Sequence, residues 1–280
     1  MSRGSVTPAL WRATRPHNGL ACALLAWAGC GFPIMVRDPR RCLAMSATII
    51  LLAAAAHLAN DIVDIAADRF NRPRRPLVNG RLGLAQARRA TLILWLAGVL
   101  AGFLRWPAGW VWWGFWGVAG PGYSLWAKGR GWLAPVWTAA TIASCYLAGA
   151  WLRDWRGADV PVVLVVTYFI VFREYVKNLE DLPGDSAAGL TGMRGLGGRR
   201  RRRYLTAWCL GAPLFLAGLC LVCPSPPGGW IAWIGAGFLI CLLAAMASLS
   251  WASRPHSHLS GSLLKVGAFC GLGLLLVSRP

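Results

Sequence analysis

Nine apolar stretches, several close to the roughly 20 residues that a helix needs to cross a bilayer, divide this chain of 280 residues. They lie near residues 18–36, 42–61, 89–105, 107–125, 132–152, 160–178, 204–223, 229–252 and 262–278. A mean hydropathy of +0.50, with 56% apolar and 14% charged residues, is rare in a soluble domain. No linker, repeat or composition shift separates the stretches. The expectation is an all-α integral membrane protein: nine transmembrane helices in one bundle around a central cavity. A cytoplasmic tail would cover 1–17 and a single membrane domain 18–280. The first stretch follows Arg12 and Arg15 as a signal peptide would, but eight further stretches make it an anchor.

The net charge of +19 raises nucleic acid as a partner, and Arg199–Arg203 looks like a basic tail. The distribution argues against it. With the N-terminus inside, most of the 29 Lys and Arg fall in the tail and in the loops on the same side. That is the bias that orients membrane proteins, and it puts those loops in the cytoplasm of a cell-membrane protein. The arginine run then fixes topology and touches anionic headgroups.

The ten acidic residues are less evenly spread. All but Asp38, Asp154 and Asp159, read as loop residues, sit in two clusters at the ends of apolar stretches. One is Asn60-Asp61-Ile62-Val63-Asp64-Ile65-Ala66-Ala67-Asp68. The other runs from Arg173-Glu174 through Lys177-Asn178-Leu179-Glu180-Asp181 to Gly184-Asp185. Carboxylates are costly beside a bilayer, so grouping them points to a cation. Asn60, Asp64 and Asp68 recur every four residues and share a helical face. Arg173, Lys177, Asp181 and Asp185 do the same, although Pro183-Gly184 should end the helix before Asp185.

Mg²⁺ takes hard oxygens, often one or two carboxylates plus substrate phosphates. Two facing clusters fit two such ions around one diphosphate, which spacing alone favours while also admitting a cation-transport path or structural ion pairs. Arg69, Arg72, Arg74, Arg75 and Arg81 follow the first cluster in a loop stiffened by Pro73 and Pro76. Guanidinium forks suit phosphate oxygens, which favours the diphosphate site.

These residues resemble the UbiA-type intramembrane prenyltransferases. The likeness lies in N-D-x-x-D-x-x-x-D (Asn60 to Asp68), N-R-P-x-R-P-L-x-x-G (Asn71 to Gly80) and Tyr123-Ser124…Lys128. It continues in R-E-x-x-K-x-x-x-D-x-x-G-D-x-x-x-G-x-T from Arg173 to Thr191. It covers essentially the whole chain and is strongest toward the branch containing digeranylgeranylglyceryl phosphate and chlorophyll synthases. The resemblance implies Mg²⁺-dependent transfer of a prenyl group from an allylic polyprenyl diphosphate to a lipophilic acceptor. It implies that Asn60, Asp64, Asp68, Asp181 and Asp185 hold two Mg²⁺ ions. Arg72, Arg75, Lys128, Arg173 and Lys177 would bind the diphosphate, and Tyr123 would sit beside the reacting centre. Asp61 belongs to the motif with a less defined role. Position 178, commonly Asp in that branch, is Asn178 here.

Two rival functions remain at this stage: a membrane-bound terpene cyclase using the same site without an acceptor, and a cation transporter. The remaining features are structural. The nine cysteines match no zinc spacing and read as packing residues. Most of the 17 tryptophans read as an interfacial belt. His57 reads as a hydrogen-bonded core residue more readily than as a base. Gly192–Gly198 carries no nucleotide-binding signature.

Overall fold

The computed structural model describes residues 6–128 and 130–189, together with 203, 207, 208, 211 and 266. Apart from 207, 208, 211 and 266, the stretches read at 204–223, 229–252 and 262–278, with the Gly192–Gly198 segment and residues 199–202 of the arginine run, lie outside the described residues. The described part is helical, without strands.

Helix α1 (Val6–Thr14) lies within the expected tail. Its Ala9 and Ala13 are buried with Leu58, Leu82 and Ala87. The first apolar stretch is not one helix. It divides into α2 (Pro16–Cys30) and α3 (Phe32–Arg37) at Gly31, whose φ of 72° only glycine adopts freely. Pro33 then restarts the chain in the first turn of α3, where a missing N–H costs nothing. Asp38 caps α4 (Pro39–Val63) by accepting from the Arg41 N–H at 3.1 Å. Short α5 (Ile65–Asn71) follows, then α6 (Leu84–Arg105), α7 (Trp110–Gly122), α8 (Leu133–Leu152) and α9 (Asp159–Ala187). Among these, α4, α6 and α8 are long and apolar enough to cross a membrane. Along α6, Leu92, Ile93, Leu96, Leu100, Phe103 and Leu104 are exposed, a surface suited to lipid rather than water.

Helices α2 and α8 touch through glycines. A Cβ on Gly149 would overlap the Ala26 carbonyl oxygen, and one on Gly29 the Tyr146 carbonyl oxygen. Small residues permit such backbone contact, which replaces hydrophobic drive between helices in lipid. At the same end Asp159, expected as a loop acid, is fully buried and opens α9. It accepts from Arg153, from the Tyr146 hydroxyl at 2.6 Å and from the Arg156 N–H at 2.9 Å. Arg153 in turn donates to the Gly29 carbonyl at 2.6 Å. Asp159 is therefore a lock between α2, α8 and α9, far along α9 from Asp181.

The tryptophans divide. Trp110 and Trp132 are exposed as a belt requires, but Trp106 and Trp116 are buried. Trp116 Nε1 donates to Ser144 Oγ at 2.8 Å. Pro121 lies inside α7 and cannot supply the amide that the Gly117 carbonyl would otherwise receive. Trp95 Nε1 supplies that bond at 2.8 Å. Beyond Pro121 the chain winds into a π-turn, Tyr123–Ala127, closed by the Lys128 N–H on the Tyr123 carbonyl at 2.8 Å.

One sequence expectation is overturned here. Pro183-Gly184 does not end α9, which continues to Ala187. Asp181 and Asp185 thus lie one turn apart on a continuous helix. Across Pro183 the Asn71 side chain binds the Asp181 carbonyl and the Gly184 N–H, tying that turn of α9 to α5.

Candidate active site

The first acidic cluster straddles the joint between α4 and α5. Asp64 leaves helical geometry there (φ −86°, ψ 0°), yet the ladder persists: its N–H reaches the Asn60 carbonyl at 2.9 Å, and Asp68 N–H reaches the Asp64 carbonyl at 2.8 Å. The four-residue spacing therefore keeps Asn60, Asp64 and Asp68 in register across the joint. Asp61, Asp64 and Asp68 are all buried, and a charge in that position needs partners.

Each has one. Lys128, re-aimed by the π-turn, pairs with Asp64; such turns recur at functional sites. Arg75 Nη1 pairs with Asp68 and lies 2.9 Å from Asp61. Arg72 stands 2.5 Å from Asp181 and 3.7 Å from Asp68. Arg69, Arg74 and Arg81 of the same loop are exposed. The loop is folded rather than loose, with Leu82 N–H on the Pro76 carbonyl at 3.0 Å and the Leu82 side chain buried.

Arg72 joins the two acidic clusters, and Asp185 completes the group within the field of Lys128, Asp181 and Asp64. Tyr123 lies beside the Thr138 side chain, in the field of Glu174, Asp64 and Asp181. Arg173 and Lys177 are held differently. Both pair with buried Glu174, Lys177 at 3.4 Å. They line the site from α9 without an ion pair to the first cluster.

Burial pushes the Asp68 carboxyl above its ordinary range; Arg75 pulls it back, and Asp64 and Asp61 push it further up. For Arg72, burial lowers the guanidinium, but Asp181 and Asp68 outweigh it and leave it raised. The site is a mesh of costly charges that compensate one another.

Asn60 shows how the donor set suits a hard cation. Its Nδ2 donates to Asp64 Oδ2 at 2.8 Å, leaving Oδ1 buried without a hydrogen-bond partner. An orphaned carboxamide oxygen among carboxylates is a hard oxygen ligand of the kind Mg²⁺ takes. Among the described residues, no three His, Cys, Asp or Glu side chains converge closely enough to form a metal cage by themselves.

Sequence reasoning missed four contributors. Arg15, at a left-handed φ of 48°, pairs with Asp61 and places Nη1 3.3 Å from His57 Nδ1. Asn18 Nδ2 stands 3.2 Å from His57 Nε2. His57 is thus a hydrogen-bonded core residue. Arg15 had been counted only as an orientation charge, and no local pattern links it to position 61. Glu174 and Asn71 both lie within the quoted motifs, but their partners depend on how α9 packs. Asp61 gains a defined place between Arg15 and Arg75.

An all-helical membrane fold with carboxylates and cations interleaved at one end of α4 and α9 defines a class of intramembrane enzyme. The model of the UbiA prenyltransferase family matches residues 19–263, and the chain belongs to that family. It is, accordingly, a prenyltransferase. It is 29% identical over 280 residues to the digeranylgeranylglyceryl phosphate synthase of Ignicoccus hospitalis, covering 95% of this chain and 89% of that one. The enzyme of the same name from Methanoculleus marisnigri is 26% identical, with 95% and 96% covered. Among solved structures, a UbiA homolog from Archaeoglobus fulgidus bound to GPP and Mg2+ superposes with a TM-score of 0.74 at 15% identity, covering 96% of this chain and 99% of the other. A structure concerned with digeranylgeranylglyceryl phosphate synthase gives a TM-score of 0.69 at 19% identity, with 98% of each chain covered. These structural likenesses speak for the fold.

Proposed function

We propose that this protein transfers a prenyl group from an allylic polyprenyl diphosphate to a lipophilic acceptor within the membrane, releasing diphosphate. One observation carries the reading: Asp64, Asp68 and Asp181 meet Lys128, Arg75 and Arg72 from four separate segments at one end of the helices. Structural ion pairing alone would not require an orphaned ligand oxygen on Asn60 beside them.

In this reading Asn60, Asp64, Asp68, Asp181 and Asp185 hold two Mg²⁺ ions. Bound Mg²⁺ supplies Lewis-acid neutralisation of the charge that builds on the leaving diphosphate. Arg72, Arg75 and Lys128 turn from carboxylates to diphosphate oxygens, and Arg173 and Lys177 approach from α9. Guanidinium forks bind such oxygens through paired N–H groups. As the C–O bond breaks, the diphosphate leaves with the electron pair. The acceptor's nucleophilic atom then bonds to the allylic carbon and loses its proton. Tyr123 stands beside the nascent cation, while the apolar helices hold the isoprenoid and exclude water that would quench it.

The whole chain would form nine membrane-spanning helices around a central cavity, with the site loops facing the cytoplasm of the cell membrane. The relatives' name, digeranylgeranylglyceryl phosphate synthase, makes a prenylated glyceryl phosphate the first acceptor class to try. The decisive experiment measures diphosphate release by purified protein with geranyl, farnesyl or geranylgeranyl diphosphate and Mg²⁺, with and without acceptor. Release that Asp64→Ala and Asp181→Ala both lose is expected, with a product mass equal to acceptor plus prenyl. Hydrocarbon products without acceptor would replace transfer by cyclisation. Metal-independent or absent release from folded protein would overturn the reading.

A further inference from the structure

Asn71, the last residue of α5, bonds with both ends of its carboxamide to the backbone of α9. Nδ2 donates to the Asp181 carbonyl at 2.7 Å, and Oδ1 accepts from the Gly184 N–H at 2.8 Å. These two groups bracket Pro183, which brings no N–H to the helix. Pro183 deprives the Leu179 carbonyl, four residues back, of its helical donor. Asn71 ties the neighbouring groups of that turn, the Asp181 carbonyl and the Gly184 N–H, to the end of α5.

The fit is close. Gly184 is buried, and a Cβ on it would overlap the Asn71 carboxamide and the Ala67 carbonyl oxygen. Carboxylates at 181 and 185 extend from the same stretch of backbone. Asp181 meets Arg72, the residue directly after Asn71, so amide clamp and ion pair join the same two segments side by side.

We infer that Asn71 is a positioning residue for the second acidic cluster: its amide pins the turn of α9 around Pro183 to the end of α5 and so holds Asp181 and Asp185 facing the first cluster. The inference rests on the metal-dependent reading above for its consequence, but its geometry is independent of it. Partners that orient ligands from outside the coordination shell typically affect metal affinity or activity by about 10–100-fold when removed.

Two measurements on Asn71→Ala test it. The first is amide hydrogen exchange of the 181–188 segment in metal-free, detergent-solubilised protein, with faster exchange at Gly184 expected. The second is the Mg²⁺ concentration for half-maximal diphosphate release, expected to rise by about tenfold, while KM for the prenyl diphosphate at saturating Mg²⁺ stays near wild type. If Asn71→Ala does not fold, Asn71→Asp keeps the acceptor for Gly184 and loses the donor to Asp181, and its Mg²⁺ requirement alone is measured, again expected to rise. Unchanged exchange at Gly184 in Asn71→Ala, or an unshifted Mg²⁺ requirement in Asn71→Asp, would overturn the inference. So would a lower kcat with an unshifted Mg²⁺ requirement, the mark of a merely structural clamp. Wild-type protein that releases no diphosphate at any Mg²⁺ concentration would overturn the proposed function instead, and the exchange result would still decide the clamp.

Discussion

Arg72 stands 2.5 Å from Asp181 with one guanidinium nitrogen and 3.7 Å from Asp68 with another, so one side chain spans the two acidic clusters. The clusters lie on α5 and α9, more than a hundred residues apart in the chain. A planar fork can address two oxygens in different directions; an ammonium cannot hold the same pair of contacts.

Arg72→Ala is therefore expected to lower kcat/KM for diphosphate release substantially, by roughly 10–100-fold, as the loss of a charge-assisted contact of about 1.5–3 kcal/mol would produce. Arg72→Lys should recover only part of it. Steady-state kinetics of both variants at saturating Mg²⁺ check this, and full recovery by lysine would show that only the charge matters.

Lys128 and Asp64 form a pair that is mostly withdrawn from solvent. Removing one partner leaves the other uncompensated, whereas removing both does not. Lys128→Met and Asp64→Asn should each lower the metal-free melting temperature, and the double variant should be less destabilised than the sum. A coupling of about 1–3 kcal/mol is expected from a thermal or denaturant double-mutant cycle. Additive losses would mean that the pair contributes nothing to the fold.

The motifs were legible because their spacings are local. Asn60, Asp64 and Asp68 keep their four-residue register, and the loop after them brings Arg72 and Arg75 to the acids. Residues whose role depends on tertiary contact were not legible. Arg15 reaches Asp61 across 46 positions, and nothing in its neighbourhood announces that. Pro183 illustrates the opposite error: local propensity stops the helix, but α9 continues to Ala187, its turn pinned by an amide from α5. Gly31, in turn, divides an apolar run whose hydropathy alone reads as one span. The tryptophan belt was half right because indole N–H groups also satisfy buried acceptors, as Trp116 does with Ser144.

Trp95 and Pro121 make a further pair of opposing effects. Pro121 deprives the Gly117 carbonyl of its helical donor, and Trp95 Nε1 takes that place at 2.8 Å. Trp95→Phe should cost about 1–3 kcal/mol, the penalty of leaving a buried acceptor unsatisfied. In a Pro121→Ala background the helix supplies its own donor, and the same substitution should cost less. Melting temperatures of the four proteins of this cycle decide it; equal costs in both backgrounds would mean that the indole contributes packing alone.

Asn60 offers the most direct test of the metal site. Its Oδ1 is buried without a partner while Nδ2 is engaged with Asp64. If that oxygen serves a cation, removing it should weaken Mg²⁺ binding, while the metal-free fold loses only the Nδ2 hydrogen bond to Asp64. Chelation with EDTA should abolish diphosphate release by wild-type protein, and added Mg²⁺ should restore it. Asn60→Ala should need about tenfold more Mg²⁺ for the same recovery, whereas Asn60→Asp, which keeps an oxygen at that position, should need less than the alanine variant. If Asn60→Ala recovered at the wild-type Mg²⁺ concentration, the orphaned oxygen would have to be explained by something other than a metal ion.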